Sequence, residues 1–120
     1  MSFEPLGLCP GVGFQALANV TTAFGNSGFG YQALFNNTDG AANTATGFQA
    51  LFNNMSGISN MANSNNALFD NTSGAMNTAI GVSAMWANVD SSDDTAIGFA
   101  ALRAVQSQRW RHRRSCRCGS

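Results

Sequence analysis

The sequence predicts an all-β repeat fold: a β-solenoid or β-roll of about six 17-residue coils, each a short strand plus a turn or a short helical turn. Three observations predict it. An alanine followed by leucine or methionine returns at one unbroken spacing, at Ala16-Leu17, Ala33-Leu34, Ala50-Leu51, Ala67-Leu68, Ala84-Met85 and Ala101-Leu102. An asparagine keeps the same step at Asn26, Asn43, Asn60 and Asn77, and Asp94 follows in its place. Apolar residues make up 44% of the chain, yet charged residues only 10%, so unit packs on unit with few charges to keep solvated. A unit this short cannot bury an apolar face alone, whereas stacked copies share one core, which is the logic of a solenoid.

The six units begin at Cys9, Asn26, Asn43, Asn60, Asn77 and Asp94, and the cleanest runs from Asn43 to Ser59. Counting columns from these starts, the first is the asparagine column, whose amides are expected to hydrogen-bond to the copies above and below, as in cross-β ladders. The N-T-A-x-G segment is the expected strand, with a small third column and a glycine fifth column suited to a bend or positive φ. The eighth and ninth columns, alanine then leucine or methionine, form the expected core stripe, sterically tight at the alanine. Between the aromatic and the double asparagine, Phe48, Leu51 and Phe52 have the spacing of one helical face, although the stretch also reads as an alternating strand. A strand plus a helical turn is the expectation here. Gly40, Gly57 and Gly74, each after Asp or Ser, are turn chemistry. At ~4.8 Å per coil the stack would be about 29 Å long.

Two units depart from the pattern. The first has Cys9-Pro10-Gly11 in place of N-T-A, as terminal repeats often do. The fourth has Ser64 for the glycine and Asn65 for the aromatic, which predicts a local irregularity or bulge. The sixth column (Phe14, Tyr31, Phe48, Asn65, Val82, Phe99) and the tenth (Ala18, Phe35, Phe52, Phe69, Trp86, Arg103) cannot both be buried in one narrow coil. An apolar stripe left outside would mark an interface, with Phe35, Phe52, Phe69 and Trp86 as candidate self-association residues.

The organisation read from the chain is a lead-in at 1–8, the solenoid at 9–108 and a basic tail at 109–120. Net charge is zero, but residues 1–102 carry all six negatives and 103–120 all six positives. The tail interleaves Arg109, Arg111, Arg113, Arg114 and Arg117 with Trp110 and His112. Such a run can bind nucleic acid, but a solvated, disordered extension is the preferred reading. No apolar run approaches the ~20 residues of a membrane span, and no signal-peptide pattern is seen.

Catalysis is not expected. The lone histidine, His112, lies in the tail, so no triad or histidine-rich metal site is expected in the body. Gly11-Val12-Gly13 and Gly28-Phe29-Gly30 are repeat columns and not a phosphate loop, since the chain has no lysine. Asp90, Asp93 and Asp94 lack the calcium-loop spacing and read as a solvated turn. Cys116, Cys118 and His112 are too few for zinc, and three cysteines make no disulfide framework. The Asn-x-Ser/Thr triplets at Asn19, Asn36, Asn54 and Asn71 follow from asparagine-rich repeats beside Thr/Ser turns. No cofactor and no metal are expected. The second column could be an ice-binding threonine rank, but Met61 interrupts Ser27, Thr44, Thr78 and Thr95.

The unit N-T-A-x-G-x-x-A-L-x-x-N-x-x-G resembles head repeats of trimeric autotransporter adhesins (YadA-like) and similar repeats in bacterial tail-fibre proteins. Their A-I-G core is matched by Ala79-Ile80-Gly81 and Ala96-Ile97-Gly98, and the resemblance covers residues 9–108. It implies a left-handed β-roll, three chains side by side as a homotrimer, and a head that binds a host or other extracellular surface. The expected function is therefore a structural and adhesive repeat module of a surface or fibre protein, on the cell surface or outside the cell. The alternative is a ligand-binding or ice-binding solenoid without catalysis.

Overall fold

A computed structural model describes residues 11–103 and, at the backbone level, the pair Arg117–Cys118. The lead-in at 1–8 and the rest of the tail at 109–120 lie outside the described residues. Six short strands follow at the repeat spacing: β1 (Gly11–Val12), β2 (Ser27–Phe29), β3 (Thr44–Thr46), β4 (Met61–Asn63), β5 (Thr78–Ile80) and β6 (Thr95–Ile97). With β7 (Arg117–Cys118) they form one parallel seven-stranded sheet in chain order. Each strand pairs with the next at matching columns, Ala45 opposite Ala62 and Ala62 opposite Ala79. The last pairing breaks the period, because Ala96 faces Arg117. The protein is a parallel β-solenoid with a 17-residue period.

The strands are short because only their middle residue points inward. Ala45, Ala62, Ala79 and Ala96 are buried while their neighbours face outward or are half-covered. The opposite wall is the alanine column Ala16, Ala33, Ala50, Ala67, Ala84 and Ala101, all fully buried. Between these walls run Leu17, Leu34, Leu51, Leu68 and Met85, also buried, while Leu102 is half-buried at the end. Each coil thus contributes two small residues and one large one to the core.

The segment after the glycine bend is a turn, and no described residue is in a helix. The helical turn expected from Phe48, Leu51 and Phe52 is therefore replaced by the simpler alternative. Gln49 and Leu51 have φ of 55° and 53°, as do their equivalents in the other coils, which no right-handed helix allows. The alternation turns the peptide groups along the stack. Gln49 N–H donates to Tyr31 O in the preceding coil, whereas Leu51 and Asn53 donate to Ala67 O and Phe69 O in the following one. A helix would close these bonds within itself and stack at ~8–10 Å, out of step with strands ~4.8 Å apart.

The fourth unit contains no bulge. β4 keeps register with both neighbours, Met61 opposite Thr44 and Thr78. Ser64 takes φ of 117°, close to the 128° and 133° of Gly47 and Gly81. The expected irregularity fails because every inward residue of this unit is retained: Asn60, Ala62, Ala67, Leu68 and Asn71 are all buried.

Candidate interaction surface

Two buried asparagine columns hold the corner of the solenoid. In the first, Asn43 Nδ2 donates to Asn26 Oδ1 at 3.0 Å, and the Asn43 backbone N–H donates to the same oxygen at 2.8 Å. Asn60 repeats both bonds on Asn43, and Asn77 repeats them on Asn60. Asp94 ends the series, its backbone N–H donating to Asn77 Oδ1 at 3.0 Å. The second column is Asn37, Asn54, Asn71 and Asn88, the Nδ2 of each of the last three donating to the Oδ1 beneath at 2.7 Å. Within each coil both columns converge on one carbonyl. Asn43 and Asn54 donate to Gly57 O at 2.8 and 3.1 Å, and Asn60 and Asn71 to Gly74 O at 2.8 and 3.0 Å. A Cβ on Gly57 would collide with Asn54 Oδ1 and Gly74 O, so the turn glycine is required by close approach.

Sequence reasoning anticipated the first ladder and missed the second. Its signal was the recurring double asparagine, whose second member repeats at the period. Burial of Asn54 and Asn71 also removes those two glycosylation triplets from the accessible surface. The second ladder stops at Asn88 Oδ1, which has no partner among the described residues. The next residue of that column in the sequence is Val105, whose side chain carries no donor.

Outside the core run further columns. Gln49 Nε2 donates to Gln32 Oε1 at 2.8 Å, and Gln32 Nε2 to Gln15 Oε1 at 2.7 Å. A third asparagine series points the other way along the stack, Asn19 to Asn36 to Asn53 to Asp70 Oδ1, at 3.1, 2.9 and 3.1 Å. A carboxylate only accepts, so Asp70 is a fitting end for it.

The tenth column is half-buried. Phe35, Phe52, Phe69 and Trp86 stack with ring centroids 5.0 to 5.6 Å apart and planes within 11° of parallel, and Arg103 lies 5.3 Å over Trp86. The rings cover one another's faces and offer mainly edges to solvent. The more exposed stripe is the sixth column: Phe14 67%, Tyr31 42%, Phe48 44%, Val82 42% and Phe99 75%. Beside it the fourth column exposes Val12, Phe29 and Ile97, with Ile80 half-buried. In the fourth coil both columns are polar, at Asn63 and Asn65.

Among the described residues no group of three His, Cys, Asp or Glu side chains is placed to hold a metal ion. Asp90 and Asp93 are exposed while Asp94 is turned into the asparagine corner, so the three do not converge as a calcium loop. No described helix is long and apolar enough to cross a membrane. The second column presents Thr44 and Met61, both exposed, and Thr78 and Thr95, both half-buried, along the strands. Comparison with protein-family models, curated proteins and solved structures finds no match.

Proposed function

We propose that this chain is a structural and adhesive repeat module, not an enzyme, which presents its outward columns as an extended binding surface. One observation carries the reading. The buried asparagine columns bond coil to coil, while the outward residues are ranked along the stack at the coil spacing. A geometry that repeats at one spacing suits an extended, repetitive surface better than a compact ligand. The resemblance to adhesin heads and tail fibres points the same way, to a homo-oligomer at a cell surface or outside the cell and to an extracellular ligand. The outward threonines keep the ice-binding alternative in view, but Met61 interrupts their rank.

The test is retention of the purified chain on surfaces coated with matrix protein or polysaccharide, against blocked controls. Retention should fall when outward residues such as Thr44 and Thr78 are changed to lysine while the melting curve is unchanged. Absence of retention on any coating, with inhibition of ice recrystallisation, would replace this reading with the alternative.

A further inference from the structure

The exposed fourth column has a pattern that the coil itself does not require. From β1 to β6 it reads Val12, Phe29, Thr46, Asn63, Ile80, Ile97: two apolar residues, two polar, two apolar. The order is the same from either end, with its centre between the third and fourth coils. The sixth column beside it repeats the asymmetry in size. Phe14, Tyr31 and Phe48 are bulky, whereas Asn65 and Val82 are smaller before Phe99 closes the series. All these residues but Ile80 are exposed, although Phe14, Tyr31 and Phe48 stack on one another with ring centroids 5.2 to 5.8 Å apart.

We propose that this stripe is covered by a second copy of the chain, running antiparallel about a twofold axis between the third and fourth coils. In that arrangement Val12 meets the other copy's Ile97, Phe29 meets Ile80, and Thr46 meets Asn63. Phe29 and Tyr31 then face Ile80 and Val82, large against small, while Phe14 faces Phe99 and Phe48 faces Asn65, whose Oδ1 accepts the Phe48 N–H of its own chain. A parallel arrangement would crowd Phe29 and Tyr31 against themselves and leave Ile80 and Val82 loosely packed, against the tendency of apolar contacts to interdigitate large with small. The polar centre fixes the register. A slip of one coil puts Asn63 against Phe29 or Thr46 against Ile80, according to its direction, where the polar group loses water without gaining a partner; in register, the Asn63 amide faces the Thr46 hydroxyl. A twofold interface closes on itself and leaves no apolar stripe free.

The size of the stripe sets the strength. Six strands ~4.8 Å apart and a width of a few residues at ~3.3 Å give roughly 400 Å² per copy, about half the ~800 Å² of a standard interface. The pair is therefore a weak, concentration-dependent dimer, and the trimer that the adhesin resemblance implies is the competing outcome.

The decisive experiment places a photo-crosslinker in the full chain, Phe29→p-benzoylphenylalanine, with light scattering across a dilution series. The expected result is a dimer that dilutes to monomer, with the crosslink mapped by mass spectrometry to the peptide containing Ile80. A crosslink to the peptide containing residue 29 itself, a trimer mass, or a monomer at every concentration overturns the proposal. Phe29→Asp keeps the test sound, because an exposed substitution leaves the fold intact. It should show the wild-type melting curve when dilute and no dimer where the wild type has one. A dimer that survives this change also overturns the proposal.

Discussion

The third and fourth coils differ at nearly every outward position and agree at nearly every inward one. Thr44, Thr46, Gly47 and Phe48 become Met61, Asn63, Ser64 and Asn65, while Asn43, Ala45, Ala50, Leu51, Asn54 and Gly57 recur as Asn60, Ala62, Ala67, Leu68, Asn71 and Gly74. The strands nevertheless pair without a slip. The architecture is specified by the ladder and core columns, and the outer surface is free to vary.

This division can be broken or sharpened, beginning with the largest effect. Removing all seventeen residues from Asn43 to Ser59 joins equivalent columns and should leave a shorter cooperative unit, whereas removing ten should abolish the cooperative melt, as read by circular dichroism. Equal loss in both would remove the periodic stack as the unit of folding.

Next in size is the buried amide. Asn43→Ala strips donors from Gly57 O and Asn26 Oδ1 and an acceptor from Asn60. Gly57 O keeps Asn54, Asn26 Oδ1 keeps the Asn43 N–H and Asn60 Nδ2 keeps Gly74 O, so the Asn60 backbone N–H is the group left unsatisfied, and the loss should be about 1–3 kcal/mol in denaturant unfolding. Asn65→Ala, on the exposed column, should stay within about 0.5 kcal/mol. Comparable losses would show that outer residues specify the fold as strongly as inner ones.

The alanine wall comes third. Ala50 is fully buried, and Ala50→Leu should cost about 1–3 kcal/mol by overpacking. A neutral result would mean that the wall can move outward.

The smallest effect belongs to the one non-glycine in the bend. Ser64 sits at φ of 117°, and Ser64→Gly should stabilise by about 1 kcal/mol by relieving backbone strain. The reciprocal Gly47→Ala should destabilise, since its Cβ would lie 2.7 Å from the Ser64 carbonyl carbon.

Much of this structure can be read from the chain because a solenoid turns tertiary contacts into a sequence period. The strand at N-T-A-x-G, the Ala-Leu core and the first asparagine ladder all follow from column identity alone. The turn after the bend does not. Phe48, Leu51 and Phe52 have helical spacing, yet Leu51 is buried, Phe52 half-buried and Phe48 exposed. What decides the matter is the need for every coil to rise by one strand spacing, a constraint outside any local window. The outward surface was harder still. The sixth and tenth columns both stack ring on ring, and the sixth keeps the larger share of its surface in solvent, a difference that column identity alone does not show.

The asparagine ladders give the solenoid a direction. In both corner columns the amides between the two ends give a hydrogen downward and take one from above. A coil can therefore be added or lost only as a whole and only in one orientation. Duplication of a repeat in the gene would lengthen the protein by one strand spacing without rewriting any existing contact, so its length can evolve in countable steps while its cross-section stays fixed.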